Sequence, residues 1–275
     1  MAPADPPATR VVSCDLELEV HEPAEVVLQI EAAPSAGPAR AELTIAAAAG
    51  PPPVTELHDP SGTTLHVVQA PRGHLVVHYR AAIAEPGPAD HRPGTGLDRQ
   101  VHLRPSRYCP SDHLTGFAVA EFGAGPGEAA RITAITDWIH HRVGYVPGSS
   151  DVHDSAEDTL LTGAGTCRDF AHLGIALCRA TGIPARFASV YAPGLSPMDF
   201  HAVFEAFADG RWTVHDPTGL APRPSMVRVA TGRDAADAAF VAVTAGLCDL
   251  ASVTVSAVAE PSLPHDDHTS PVELP

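Results

Sequence analysis

The sequence predicts an α+β protein, with a β-rich N-terminal domain followed by a domain that combines helices with antiparallel strands. Three observations support this class. Residues 13–83 contain short alternating segments, two stretches beyond residue 128 show helical periodicity, and a hairpin pattern lies near residue 209. Residues 85–96 are rich in proline and glycine, as is typical of a linker. We therefore predict a disordered N-terminus over residues 1–10, a β-rich domain over 11–97, a second domain over 98–259 and a disordered tail over 260–275.

The N-terminal domain is predicted to be a small antiparallel sandwich or barrel. Residues 13–20 place Cys14, Leu16, Leu18 and Val20 on one face and acidic side chains on the other. Further strands are predicted at residues 26–31, 42–46, 64–69 and 74–83, with turns rich in proline or glycine at 34–38, 50–53, 59–62 and 71–73. The histidines of this region are scattered along the chain, so we expect no metal site there.

The charge of the chain limits its partners. Its 275 residues include 17 Lys+Arg and 33 Asp+Glu, which gives a net charge of −16. Because no basic run accompanies this acidity, we expect neither nucleic acid nor an anionic membrane surface as a partner. The five cysteines are odd in number, widely spaced and without a CxxC motif, which argues against a disulfide framework and against a zinc site.

The N-terminal residues predict the compartment. They contain no basic segment followed by an apolar run, and no stretch of the chain is long and apolar enough to cross a bilayer. We therefore expect no secretion signal and predict a cytoplasmic protein with reduced thiols.

The second domain begins with helical periodicity. Residues 128–142 place Ile132, Ile135, Trp138 and Ile139 on one apolar stripe, and this position favours Trp138 as a core residue over a cofactor platform. Residues 151–158 form an acidic cluster in which calcium binding is conceivable. The spacing does not follow an EF-hand loop, so a solvated acidic loop that leads into a helix is the favoured interpretation.

Strands dominate the rest of the chain. We predict them at residues 186–192, 200–208 and 211–216, and two closing strands at 238–243 and 250–258. The tail from Glu260 is rich in proline, and its histidines, His265 and His268, flank two aspartates. Ligands on a disordered tail are weak grounds for a metal site, so we predict none.

Residues 163–172 place a cysteine at the start of a helix. Thr166 and Asp169 have the spacing of a capping box, and Phe170, Leu173 and Leu177 continue at helical intervals. With Thr166 as the N-cap, Cys167 is the first helical residue, next to unpaired N–H groups and the positive end of the helix dipole. This environment favours a nucleophilic thiolate. Taken alone, the pattern fits a buried core cysteine equally well.

A hairpin supplies the partners that cysteine catalysis needs, an imidazole and a group that orients it. Residues 200–208 and 211–216 flank Asp209-Gly210, which is a strong signal for a two-residue turn. Pairing Ala208 with Arg211 sets His201 and Asp216 on one face as diagonal neighbours, with Cα atoms about 7–8 Å apart. The sequence therefore predicts an interaction between the two side chains.

Other candidates fit this role less well. His215 lies on the opposite face from Asp216, and His172 lies well around the helix from Cys167. Asp199 points away from His201, and Asp209 belongs to the turn.

Several motifs resemble the transglutaminase-like superfamily of bacteria. They are G-x-G-T-C-R-D-F-A-H-L, G-I-P-A-R, D-F-H-A-V-F-E and W-x-V-H-D-P-T, in this order, within residues 103–245. The resemblance implies a papain-like core, in which a helix that carries the nucleophile packs on an antiparallel sheet, preceded by a β-rich domain. It also implies a catalytic triad of Cys167, His201 and Asp216. We predict no metal ligands and no cofactor, and the sequence does not reveal whether calcium matters.

The resemblance implies acyl chemistry at Cys167. We expect a thioester to form from a peptide or protein amide, with hydrolysis favoured over transfer to an amine because no feature of the sequence marks an amine site. The Cys167 N–H is expected to donate to the oxyanion, and Tyr108 and Trp138 are further candidates for the site. The alternative is a non-enzymatic interaction module with a vestigial triad. The sequence leaves the physiological substrate and the oligomeric state open.

Overall fold

The computed structural model describes residues 9–84, 96–124 and 127–275. Antiparallel sheets dominate these residues, and the helices lie together in the middle of the chain, which confirms the predicted α+β class. Residues 1–8 of the predicted disordered terminus, and all of the predicted linker except Gly96, lie outside the described residues. Thr9 and Arg10 begin the first strand, so the predicted disorder is wrong at these two positions.

The N-terminal sheet is built around one long strand. Its first five strands are β1 (Thr9–Leu28), β2 (Pro38–Ala47), β3 (Val54–His58), β4 (Thr64–Ala70) and β5 (Gly73–Ile83), in the order β2-β5-β1-β4-β3. The alternation predicted over residues 13–20 is confirmed, because Cys14, Leu16, Leu18 and Val20 are buried. The strand predicted from residue 26 is the end of β1 rather than a separate strand.

Five helices follow, with two short parallel strands among them. They are α1 (Gly96–Val101), α2 (Thr115–Phe122), α3 (Glu128–Arg142), β6 (Gly144–Tyr145), α4 (Ala156–Thr162), β7 (Ala164–Gly165) and α5 (Cys167–Ala180). Ile132, Ile135 and Ile139 of α3 are buried, as the apolar stripe predicts. The acidic cluster at residues 151–158 leads into α4, also as predicted.

The second sheet carries the predicted hairpin. Its strands are β8 (Ala185–Tyr191), β9 (Phe200–Ala208), β10 (Arg211–His215) and β11 (Val227–Gly232), in the order β10-β9-β8-β11. Asp209 and Gly210 both have positive φ, 52° and 83°, as a type I′ turn requires. Ala208 pairs with Arg211 and Phe207 with Trp212, which confirms the predicted register.

Helix α5 packs closely on this sheet. A Cβ atom at Gly174 would lie 2.5 Å from the Phe204 ring, so only glycine allows this approach. Within the sheet, the buried Glu205 on β9 pairs with Arg186 on β8 and Arg228 on β11, each at 2.7 Å. Burial alone would raise the pKa of Glu205, but the two guanidinium groups outweigh it and hold the pKa well below its ordinary value. The carboxylate and the two guanidinium groups therefore link the strands β8, β9 and β11.

The N-terminal sheet docks beside the second sheet at its β11 end. The Ala33 N–H donates to the Arg228 carbonyl at 2.8 Å, and the Tyr191 hydroxyl donates to the Ile30 carbonyl at 2.7 Å. Strand β10, which leads to Asp216, lies at the other end of the sheet. The N-terminal sheet therefore contacts the second sheet on its β8 and β11 side, and Phe240, which precedes the last strand, stacks on Phe200, next to His201.

The last strand, β12 (Val241–Glu260), corrects the predicted domain boundary. It is one strand of 20 residues rather than two closing strands, and it pairs with β1 along its whole length. Residues 241–259 therefore belong to the N-terminal sheet, whereas the prediction placed them in the second domain. The chain returns to its starting sheet, and no local sequence signal encodes a pairing across more than two hundred residues.

The prediction of disorder for residues 260–275 is also wrong. Asp266 accepts hydrogen bonds from the Arg223 side chain and backbone, and the Val272 carbonyl accepts one from the Val214 N–H at 2.8 Å. Leu274 is buried against the face of the second sheet that carries Val203 and Val214. We call residues 266–275 the C-terminal strap. It protects the edge of β10, two residues before Asp216, and supplies the counter-ion of a buried arginine.

Candidate active site

The first turn of α5 has the predicted capping geometry. Thr166 is extended, with φ −105° and ψ −178°, and its N–H and hydroxyl donate to the Asp169 carboxylate at 2.7 and 2.9 Å. Cys167 is the first helical residue and is half-buried. The sulfur therefore lies at the positive end of the helix dipole, beside N–H groups that have no partner within the helix.

Asp169 also fixes the loop that precedes the helix. It is completely buried and accepts hydrogen bonds from Ser150 and from the Arg168 guanidinium at 2.9 Å. Burial alone would raise the pKa of Asp169, but these donors outweigh it and lower the pKa. A Cβ atom at Gly165 would lie 2.6 Å from the Asp169 Cβ, so glycine is needed there. The turn that presents Cys167 is therefore held rigidly from both sides.

The hairpin brings His201 and Asp216 into direct contact. His201 Nε2 lies 2.9 Å from Asp216 Oδ2, and both side chains are buried. The second carboxylate oxygen, Oδ1, accepts hydrogen bonds from the Thr218 N–H at 3.0 Å and from its hydroxyl at 2.7 Å. These bonds orient the carboxylate, which in turn orients the imidazole.

The second ring nitrogen of His201, Nδ1, is not engaged by Asp216. Among the described residues, this buried nitrogen has no hydrogen-bond partner of regular geometry. Burial opposes the charged form of His201, but the Asp216 carboxylate and then the Cys167 side chain outweigh it and raise the pKa of His201 to about 10. For Asp216, burial is outweighed by His201 and Thr218, which lower its pKa. The imidazolium is therefore favoured at neutral pH, between a carboxylate and the thiol.

Tyr145 is a further candidate for the site, and the sequence did not reveal it. It pairs with Gly165, two residues before Cys167. Burial, followed by the charges of Cys167, Asp199 and Asp216, raises the pKa of Tyr145 to about 12, so its hydroxyl stays protonated and can donate. The parallel pairing of β6 with β7 places it there, and two-residue strands leave no recognisable signal in a sequence.

The structure places His172 away from this site. It is completely buried, its Nε2 accepts a hydrogen bond from the Ala235 N–H at 3.1 Å, and its ring stacks on Tyr108. Burial lowers the pKa of His172 to about 3, so the ring is neutral. Tyr108, the other candidate for the site, therefore contacts this core histidine.

His215 and Trp138 also have structural contacts. His215 Nε2 lies 2.9 Å from the Thr213 hydroxyl and its ring stacks on Phe204, on the opposite face from Asp216, as predicted. Trp138 packs edge-to-face against Phe117 and Phe122 between α2 and α3. This packing fits the core role that its helical position predicts, and nothing in it connects Trp138 to Cys167.

The acidic cluster at residues 151–158, in which calcium binding was conceivable from the sequence, forms hydrogen bonds within its own segment. Asp154 accepts a hydrogen bond from the Asp151 N–H at 2.8 Å, and Asp158 accepts two from Ser155 at the start of α4. Within residues 9–84, 96–124 and 127–275, we find no group of three or more histidine, cysteine or carboxylate side chains placed to hold a metal ion. In the same part of the chain, no helix is long and apolar enough to span a membrane.

Comparison with known proteins identifies the family. The family model of the transglutaminase-like superfamily matches residues 118–217, a range that includes Cys167, His201 and Asp216. The crystal structure of "a Putative Cysteine Protease from Cytophaga hutchinsonii" is 32% identical, with a TM-score of 0.84, over 98% of this chain and 95% of that one. The chain belongs to the transglutaminase-like superfamily. The resemblance inferred from the motifs is thus confirmed.

Two further proteins are less similar to this transglutaminase-like protein. "Uncharacterized protein ML0607" of Mycobacterium leprae is 29% identical over 150 residues, which are 50% of this chain and 52% of that protein. The match thus spans about half the length of that relative. The periplasmic domain of TgpA from Pseudomonas aeruginosa is 19% identical, over 73% of this chain and 91% of that domain, with a TM-score of 0.40.

Proposed function

We propose that this protein is a cysteine-dependent acyl-transfer enzyme that attacks peptide or protein amides through a Cys167 thioester. We favour hydrolysis over transfer to an amine, because water is the default acceptor and no residue of the site marks an amine pocket. The observation that carries the proposal is the position of His201, with Nε2 on Asp216 and Nδ1 free beside Cys167. The similarity to the "Putative Cysteine Protease from Cytophaga hutchinsonii" also supports a cysteine-dependent enzyme.

In the first half of the reaction, the Cys167 thiolate attacks the amide carbonyl carbon and a C–S bond forms. The resulting tetrahedral oxyanion collapses as the C–N bond breaks, and the His201 imidazolium gives its proton to the departing amine. The products of this half are a free amine and a thioester on Cys167, with His201 neutral. Asp216 holds the ring in place and stabilises its charged form.

In the second half, neutral His201 takes a proton from water, whose oxygen attacks the thioester carbonyl. A second oxyanion forms and collapses as the C–S bond breaks, which releases the carboxylic acid and regenerates the thiolate–imidazolium pair. A primary amine in place of water would give a new amide by the same steps. Hydrolysis and transfer therefore differ only in the acceptor that reaches the thioester.

Two donors are available for the oxyanion. The Cys167 N–H belongs to the first turn of α5 and has no partner within the helix. The Tyr145 hydroxyl, which stays protonated beside Cys167, is the second donor that we propose. Two donors aimed at the developing negative charge form an oxyanion hole.

Thiol alkylation against pH tests the proposal. Cys167 should react rapidly well below pH 8, and Cys167→Ala should remove this fast phase and all activity on peptide amides. Uniformly slow alkylation of all the cysteines would contradict the proposal. It would favour the alternative, a non-enzymatic interaction module with a vestigial triad. Glutaminyl and ordinary peptide amides, assayed with and without a primary amine, then distinguish hydrolysis from transfer by whether the product is an acid or a new amide.

A further inference from the structure

The second edge of β12 carries no partner strand. Strand β12 pairs with β1 from Val241 to Glu260 and lies at the edge of the N-terminal sheet. Across residues 9–84, 96–124 and 127–275, no other strand pairs with it. Outward-facing N–H and C=O groups of such an edge can accept a further strand.

Apolar side chains accompany this edge. Five of them are exposed by 38–52%: Val243 (41%), Leu247 (52%), Leu250 (41%), Val253 (38%) and Val258 (40%). Scattered apolar residues are common on protein surfaces, but here they follow one strand whose backbone is also unpaired. The edge therefore offers hydrogen bonds and apolar surface together.

β12 lacks the features that usually protect an edge, which are short length, lysine, proline and inward-pointing charge. It is 20 residues long, contains no proline, lysine or arginine, and its only charged residues are Asp249 and Glu260. Asp249 is engaged by His21 at 3.0 Å. Bulges interrupt the first half of the strand, but from Ser252 to Glu260 the register with β1 is continuous.

We propose that a second copy of the chain covers this edge, and that the two β12 strands pair antiparallel through residues 252–260. A two-fold axis at Ser256 would set Thr254 opposite Val258 and Val253 opposite Ala259, over about 30 Å of strand. It would also set Glu260 opposite Ser252, so that no like charges face each other.

The low charge of β12 is compatible with a second copy at this edge, although the chain as a whole is strongly acidic. With a net charge of −16, two copies repel each other over most of their surface, and β12 is a nearly uncharged strip along which they can meet. A basic partner would instead be drawn to the acidic side chains on the outer face of β1, such as Glu17 and Glu19. In addition, a two-fold rotation places the same strand edge of a second copy alongside in antiparallel orientation, so that the two edges can form hydrogen bonds with each other.

Size-exclusion chromatography with light scattering tests this proposal. The wild type should be a dimer, and Val258→Glu should be monomeric, because it places a carboxylate at each end of the paired segment. The control is Val76→Glu on β5. Val76 is 37% exposed on the same sheet, but β5 already pairs with β1 and β2, so this variant should remain dimeric.

Thermal melting verifies that both variants are folded. A wild type that is monomeric at every concentration would overturn the proposal, and so would a Val258→Glu variant that stays dimeric. Equal dissociation of both variants would also overturn it, because it would place the contact elsewhere on the sheet. None of these outcomes depends on the proposed enzymatic function.

Discussion

The two cysteines of helix α5 differ in almost every property that controls reactivity. Cys167 and Cys178 are eleven residues apart, or about three turns, so they project in nearly the same direction. Cys178 is completely buried, and burial raises its pKa to about 12. Cys167 lies at the helix N-terminus, half-buried, beside His201. A thiol on this helix therefore becomes a candidate nucleophile through its place at the helix end and through a partner on another element.

The remaining buried cysteines resemble Cys178. Burial raises the pKa of Cys109 to about 12 and that of Cys14 to about 11. These thiols serve as internal references in any alkylation experiment, because they lie in the same molecule and have no imidazole placed as His201 is. The contrast between Cys167 and Cys178 can then be tested by changing one supporting residue at a time.

The largest effect is expected for Asp216→Asn, which should make Cys167 react more like Cys178. Without the carboxylate, burial dominates and the pKa of His201 should fall well below about 10. The imidazolium is then lost at neutral pH, and activity should fall about 10²–10⁴-fold. The measurements are the rate of Cys167 alkylation between pH 5 and 10 and an NMR titration of the His201 ring.

The same substitution should change how stability depends on pH. A His201 pKa that folding raises from 6.5 to about 10 contributes stability that is fully present below pH 6.5 and lost as the pH rises toward 10. Asp216→Asn should remove this alkaline loss. Unchanged alkylation and stability profiles in the variant would contradict the role given to Asp216.

The next effect concerns the C-terminal strap. Asp266→Asn leaves the buried Arg223 guanidinium without its closest counter-ion and should lower the free energy of unfolding by about 3 kcal/mol. Arg223 also donates to the Val214 carbonyl, two residues before Asp216, so Cys167 alkylation should slow while Cys178 stays unreactive. Chemical denaturation and alkylation at neutral pH measure the two effects.

A control lies on the same strap. Glu273 forms a long ion pair of 3.7 Å with the half-exposed Arg211 and does not pair with the buried Arg223, so Glu273→Gln should lower the free energy of unfolding much less than Asp266→Asn, by at most about 1 kcal/mol. If the two variants behave alike, the Arg223–Asp266 pair does not hold the edge of β10.

The smallest effect compares two helix caps. Thr166→Ala and Ser155→Ala each remove a capping hydroxyl and should each cost about 1 kcal/mol of stability. Only Thr166 precedes Cys167, so only its variant should also slow alkylation, measured at one pH with folded protein. Equal alkylation rates in both variants would show that the cap supports the helix but not the nucleophile.

Local signals predicted much of the candidate site. The spacing of Thr166 and Asp169 predicted the cap, and the Asp209-Gly210 turn fixed a register that sets His201 beside Asp216. Both are short-range features, in which a few residues determine the backbone geometry. Tyr145 escaped prediction because its position depends on a parallel pair of two-residue strands.

The errors in the predictions for the last strand and for the C-terminal tail share one cause. Residues 261–275, which include the C-terminal strap, contain four prolines and have the composition of a disordered segment, yet Asp266, Val272 and Leu274 hold the strap on the second sheet. Composition estimates how much apolar surface a segment can bury by itself. It takes no account of a buried arginine or an unpaired strand edge elsewhere in the fold, with which the segment can form an ion pair or hydrogen bonds.

The sequence by itself determined the local geometry: the strand alternation of β1, the capped start of α5 with Cys167 as its first residue, and the register of the hairpin. These follow from side-chain periodicity and turn chemistry over a few residues. Only the tertiary structure decided that β12 returns to β1, that the strap contacts β10, and that His201 binds Asp216 through Nε2 while Nδ1 has no hydrogen-bond partner among the described residues. Those contacts join residues that are far apart in the chain, so they stabilise the protein only when both of the segments that they join have folded.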